Sequence, residues 1–177
     1  ILVNLNWNLE KLVQSSNSET SLKKVVLDIG CLIELSNGKK RCLKALNQEI
    51  SLGSLEESPY VLYHGDDRSG QKRDGENLEI NGEKLSAFKR ILIFAFIYNG
   101  AEKWSEVDAV VSMDYGLDRL EVPLSSISSS NRVYAVAMLE NKENTLEVTR
   151  LDKTFPRHRD LDNEYSWGIS WSHSSKK

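Results

Sequence analysis

Ile91-Leu92-Ile93-Phe94-Ala95-Phe96-Ile97-Tyr98 decides the fold. The run is far short of the ~20 apolar residues a membrane helix needs, and it is rich in β-branched and aromatic side chains. A continuous apolar segment of this length is expected to be a central strand covered on both faces. Val133-Tyr134-Ala135-Val136-Ala137-Met138-Leu139 has the same character, so two such strands are predicted to form the heart of the core.

The flanking segments are shorter and alternate. Ile1, Val3, Leu5 and Trp7 fall on one side of the opening segment and Asn4, Asn6 and Asn8 on the other, the period of a half-buried strand. Val25 to Leu35 reads as a strand that turns at Asn37-Gly38 into a polar hairpin arm. Tyr60 to His64, Val107 to Met113, Arg119 to Val122, Leu146 to Leu151 and Trp167 to Trp171 supply further strands, while Gln14 to Thr20 and Ser125 to Ser130 read as loops. Only Arg159 to Tyr165 and Ala101 to Glu106 have helical character. Eight to ten short strands without crossover helices predict an all-β protein: a β-sandwich of two mainly antiparallel sheets with one or two short helices.

Composition agrees. The chain has 177 residues, 40% hydrophobic and 28% charged, and is expected to form a single domain over residues 1–177. It opens on Ile1 instead of Met, as a piece cut from a longer polypeptide would. With 23 Lys and Arg against 26 Asp and Glu the net charge is -3, so no summed basic field points to nucleic acid. Cys31 and Cys42 are too few for a disulfide framework and suit a reducing compartment. No segment reads as a membrane span or as a signal sequence, so a soluble cytoplasmic protein is expected.

One segment departs from its surroundings. Residues 65–79 carry five carboxylates (Asp66, Asp67, Asp74, Glu76, Glu79), three cations (Arg68, Lys72, Arg73) and three glycines (Gly65, Gly70, Gly75). Crowded carboxylates repel one another unless a cation lies between them, and oxygen ligands on a pliable backbone suit Ca²⁺. The competing reading is a solvated loop whose acids pair with Arg68, Lys72 and Arg73. An EF-hand is excluded: counted from Asp66, position 3 is Arg68, position 6 is Gln71 and position 12 is Asn77. Ligands would have to come from separate segments.

These residues resemble a known family. Gly65-Asp66-Asp67-Arg68-Ser69-Gly70, followed by Asp74-Gly75-Glu76-Asn77-Leu78 and Ile80-Asn81-Gly82, is similar to the signature loop of the tellurium-resistance and stress-response TerD-like proteins. Val3 to Asn8 resembles the family's opening strand, Leu27-Asp28-Ile29-Gly30-Cys31 an acidic strand, and Ile91 to Gly100 the central strand. His158 to Asp162 with Trp167 to Trp171 looks like the C-terminal domain of TerA-type members. The resemblance implies a non-enzymatic sandwich that binds Ca²⁺ in acidic loops at one end of the sheets. It also implies association with other stress-resistance proteins at the inner membrane face, through partners and without insertion. Carried over by position, Asp28, Asp66, Asp67, Asp74 and Glu76 are the side-chain ligands, with backbone carbonyls around Arg68 and Gly75 completing the shell. The chain departs from the family at Val26 and Asn8, where acids are usual, so one of the family's paired sites is expected to be weakened or lost.

Other side chains point less far. His64, His158 and His173 have no metal-ligand spacing, so zinc is not expected. Trp104, Trp167 and Trp171 suit core or edge packing better than a ligand platform. A second function class is a sandwich that binds a nucleotide or carbohydrate with at most a structural cation; a third is an enzyme using His64 with Asp66 or Asp67, for which no nucleophile or oxyanion motif is present.

Overall fold

The computed structural model describes residues 1–8, 10–14, 20–44, 52–64 and 75–171. The decisive run lies within β9 (Phe88–Asn99), which pairs antiparallel with β12 (Val133–Lys142) on one side and β4 (Val26–Leu35) on the other. Adding β13 (Thr145–Phe155) and β5 (Lys40–Lys44) at the edges gives a five-stranded sheet in the order β13-β12-β9-β4-β5. The second sheet has six strands, in the order β11-β10-β1-β8-β7-β6. They are β11 (Asp118–Pro123), β10 (Ala109–Tyr115), β1 (Leu2–Trp7), β8 (Glu76–Ile80), β7 (Val61–Tyr63) and β6 (Gly53–Ser54). A separate hairpin pairs β2 (Glu10–Gln14) with β3 (Thr20–Lys24). Every pairing is antiparallel. The fold is an all-β sandwich.

Alternation sorts the side chains as expected of packed sheets. From β9, Ile91, Ile93, Ala95 and Ile97 face the other sheet; from β1, Val3, Leu5 and Trp7 meet them. Leu92, Phe94 and Phe96 point the opposite way into a second apolar cluster on the outer face of the five-stranded sheet. That cluster is covered by helix α1 (His158–Glu164) and the segment 165–171 that follows it, which together form a strap. β9 is thus buried on both faces, the condition its uninterrupted apolar sequence requires. Amide exchange in β9 and β12 is expected to be among the slowest in the chain; rapid exchange there would contradict the core assignment.

Several expectations need correction. Thirteen strands occur among the described residues, more than the eight to ten predicted. Glu76–Ile80, read as loop, is a strand whose Glu76, Leu78 and Ile80 face inward. Lys11 and Glu10 hid β2, and part of the segment 14–20 lies outside the described residues. Trp167 to Trp171 is no strand, for Ser166 and Gly168 adopt φ of 52° and 72° and the amides of Gly168 and Ile169 bond to Asp162 instead of a ladder. Ala101 to Glu106 contributes a single 3-10 turn, Trp104–Glu106. Trp104 and Trp167 are fully buried, which makes them core residues. Cys31 lies in the core between the sheets and Cys42 against the outer cluster, so the two thiols occupy opposite faces of one sheet. Burial pushes the Cys42 thiol up to about 12. Among the described residues no helix is long and apolar enough to cross a membrane.

Candidate metal centre

β4, β8 and the turn into β8 bring three of the sequence-predicted site residues to one end of the sandwich. Asp28 lies near the start of β4 and is 0% exposed; Glu76 opens β8 and is 1% exposed. Burying a carboxylate is costly unless it is hydrogen-bonded or paired, so two of them at one end of a fold require a local reason. Glu76 has one: its Oε2 accepts a hydrogen bond of 2.9 Å from the backbone amide of Ile29, the residue after Asp28. This bond ties the six-stranded sheet to the five-stranded sheet across a sequence separation of 47 residues.

Gly75 is required by shape. Its φ is +65°, and a Cβ would lie 2.1 Å from the carbonyl oxygen of Leu5 in β1. Only glycine lets the incoming chain turn this close to β1 before entering β8. Residues 65–74, including Asp66, Asp67 and Asp74, lie outside the described residues. The loop's ends are nevertheless defined: β7 delivers it after Tyr63 and His64, and β8 receives it at Gly75 and Glu76.

Asp28 and Glu76 enter this end from different sides of β4. Leu27, Ile29, Cys31 and Ile33 face the inter-sheet core, whereas Leu32 belongs to the outer cluster, so alternation gives Asp28 the outer parity. Glu76 shares the inward parity of Leu78 and Ile80. The Glu76 carboxylate reaches the amide of Ile29, the residue that follows Asp28 in β4. Carboxylate and carbonyl oxygens are the donors a hard cation such as Ca²⁺ takes, but the described residues place Asp28 and Glu76 on opposite faces of β4, so any further ligands for either would have to come from residues 65–74. Among the described residues no three His, Cys, Asp or Glu side chains form a metal-binding group by themselves.

Neighbouring polar groups have settled roles. His64, at the loop's entrance, is exposed and its Nε2 lies 3.0 Å from Glu79 Oε2. Asn8, where the family resemblance would place an acid, donates from Nδ2 to Asp108 Oδ2 at 3.1 Å. Between the sheets the described voids are apolar, and the larger offers about 10 Å³, room for one water at most. Open grooves of about 480 Å³ beside His64 and Glu79 and about 350 Å³ over Asn4, Asn6 and Asn8 lie on the outer face of the six-stranded sheet.

Sequence reading missed the polar assembly that fastens the strap. Asp162, 2% exposed, accepts hydrogen bonds from Gly168 N (2.6 Å), Ile169 N (2.8 Å) and Trp171 Nε1 (2.6 Å). Arg90 lies over the Trp167 ring at 3.9 Å and donates to the carbonyl oxygens of Tyr165 and Ser166. Arg90 is held in turn by Glu34, whose carboxyl stays below its ordinary pKa because bonds from Lys89 and Arg90 outweigh its burial. Under the strap, His158 stacks on Trp171 and packs edge-on against Phe94 and Phe96. Burial, reinforced by the charge of Lys44, pushes its imidazole down to about 3.

A pH effect follows. The unfolded imidazole titrates near 6.5 and the folded one well below it, so His158 stabilises the fold fully only above pH ~6.5. Between there and about pH 3 the unfolded state holds the extra proton, and stability is expected to fall by up to about 1.4 kcal/mol per pH unit. Urea unfolding at pH 4 to 7 measures this slope, and a His158→Phe variant should flatten it; an unchanged slope would remove His158 as its source.

The comparisons with known proteins agree with this architecture. The chain is 33% identical over 184 residues to the tellurium resistance protein TerA of Alcaligenes sp., a match that covers 99% of this chain. The chain spans about half (52%) of that relative's length. No protein-family model matches. Among solved structures, a homologue of telluride resistance protein (TerD) from Streptomyces coelicolor A3(2) superposes with a TM-score of 0.64 at 16% identity, covering 91% of this chain and 92% of that one. A protein of unknown function, SAV2460, gives a TM-score of 0.61 at 14% identity over 88% and 89% of the two chains. At such identities the structural likeness speaks for the fold, while the relationship in sequence extends over nearly every residue. The chain is thus similar in sequence to a tellurium resistance protein over nearly its whole length and shares the fold of a TerD homologue.

Proposed function

We propose that the chain is a non-enzymatic Ca²⁺-binding module of a bacterial tellurite and stress-resistance complex. The observation that carries this reading is the bond from the Ile29 amide to Glu76, which brings the end of the acidic segment against β4 beside the buried Asp28. An ion there would draw on Asp28 and Glu76, on the carbonyl of Gly75, and on Asp66, Asp67 and Asp74 from the connecting loop. When bound, Ca²⁺ supplies charge neutralisation and a cross-link between segments, with no bond made or broken in a substrate. His64, the base of the competing acid-base reading, is engaged with Glu79. The names of the relatives, tellurium resistance protein TerA and a TerD homologue, support the physiological setting. In this reading the partners are calcium and other stress-resistance proteins, met in the cytoplasm near the inner membrane face; nucleic acid is not among them.

Calorimetric titration with Ca²⁺, followed by anomalous diffraction from a calcium-soaked crystal, tests the assignment. Saturable binding with density beside Asp28 and Glu76 is expected. Absence of heat and of density would refute it.

A further inference from the structure

The polar hub of the strap is bonded to the strap itself. Asp162 takes hydrogen bonds from Gly168, Ile169 and Trp171, its own carbonyl oxygen accepts from the Trp167 amide, and Asp160 pairs with Arg157. A segment tied end to end in this way does not fray residue by residue. Its grip on the body is of another kind. Apolar contact with Leu32, Leu92, Phe94 and Phe96 is joined by polar bonds near one point, where Arg90 and Lys40 donate to the carbonyl oxygens of residues 165–167 and Lys153 pairs with Glu164. The ladders of the five-stranded sheet run among β13, β12, β9, β4 and β5, so lifting the strap breaks none of them. Closure also carries a cost. Trp167 Nε1 and His158 Nε2, both on the strap, are buried without a hydrogen-bond partner among the described residues. Water restores those bonds when the strap is open, so each orphan weakens closure.

We propose that residues 158–171 are a latch, a strap that opens and closes as one cooperative unit over an otherwise intact sandwich. The native chain then interconverts between a closed form and a form that presents the outer apolar face of the five-stranded sheet. Arg90 is the pin: its guanidinium lies over Trp167 and holds two of the three carbonyls. In either form β9 keeps its inner face, packed through Ile91, Ile93, Ala95 and Ile97. Elements that switch are drawn from segments that open at lower free energy than the core, and the strap meets that condition while β9 and β12 do not.

Native-state amide exchange read by mass spectrometry tests this, on the whole chain at about pH 7.5 and in urea below the unfolding transition. A free imidazole is neutral at that pH, so His158 does not titrate on opening. Peptides from 158–171 are expected to share one opening, about tenfold or more easier than that of β9 and β12, with a smaller urea dependence because less surface is exposed. His158→Phe removes one orphan nitrogen and keeps a ring against Phe94, Phe96 and Trp171, and should slow strap exchange about tenfold. Arg90→Met should speed it about tenfold while β9 and β12 remain the slowest segments. Lys40→Met replaces Arg90→Met if circular dichroism shows a disturbed fold, and the wild-type measurement stands by itself. Protection and urea dependence in the strap equal to those of β9 and β12 would show that it opens only when the sandwich unfolds, and would overturn the latch. Strap peptides that open at separate free energies would overturn it as well, since a fraying end is not a unit. Strap exchange unchanged in both variants would overturn the pin and the cost of closure.

Discussion

Asp162→Ala is expected to destabilise the chain by about 3 kcal/mol and lower its melting temperature by roughly 6–12 °C. The buried carboxylate accepts three hydrogen bonds, from the amides of Gly168 and Ile169 and from the Trp171 indole. Bonds to a charged acceptor are worth about 1.5–3 kcal/mol each, so their sum exceeds the expected loss. The difference arises because the strap can lift and rehydrate its amides, which caps the cost at the free energy of docking 158–171 on the outer cluster. Asp162→Asn should recover little, since its amide group presents donors to donors. Asp160→Ala, on the exposed side of the same helix where the carboxylate pairs with Arg157, is the matched control and should change stability by no more than about 1 kcal/mol. Thermal melts combined with amide exchange over 158–171 measure the effect. Exchange in the strap unchanged by Asp162→Ala would mean that apolar packing of Leu161, Trp167 and Phe155 holds it without the polar hub.

This assembly marks the boundary of what was legible in the sequence. Ile91 to Tyr98 and Val133 to Leu139 announced their own burial because a strand covered on both faces leaves no polar positions, and the alternation from Ile1 to Asn8 announced a half-covered one. β8 escaped notice because its inward position is taken by Glu76: a carboxylate at a core-facing position breaks the hydrophobic period on which strand recognition depends. Its local reason, the Ile29 amide 47 residues away, exists only in three dimensions. Trp167 to Trp171 failed in the opposite sense. Its apolar alternation is real and buries Trp167, but Asp162 captures the amides that a ladder would have used. For the candidate site, the sequence named Asp28, Gly75 and Glu76 through resemblance and charge crowding. It carried no sign that Glu76 is inward or that Asp28 is on the outer parity.

Calcium is expected to raise the melting temperature if the acidic segment and Asp28 share an ion. Without the ion, carboxylates gathered at one end of the sandwich repel; with it, β4 and the chain entering β8, already bonded across 47 residues of sequence, are joined a second time. Ligand binding confined to the native state adds about 2.7 kcal/mol at a hundredfold excess over the dissociation constant. For a domain of this size that corresponds to a rise of roughly 5–11 °C. Mg²⁺ should give a smaller rise, since it demands near-octahedral geometry and gives up its waters reluctantly, whereas mixed carboxylates and carbonyls accommodate the seven or eight oxygens of Ca²⁺. Asp28→Ala and Asp67→Ala should each remove most of the Ca²⁺-dependent rise while leaving the metal-free protein folded, because Asp28 sits at the end of a strand otherwise held by β9 and β5. Glu76→Gln separates two roles: losing the charge should weaken calcium binding, and weakening the bond to the Ile29 amide should also lower the metal-free melting temperature. Differential scanning calorimetry with Ca²⁺, Mg²⁺ and chelator reads all of these. Identical melting temperatures with calcium and with chelator would show that Arg68, Lys72 and Arg73 already balance the acids, leaving no charge for calcium to neutralise.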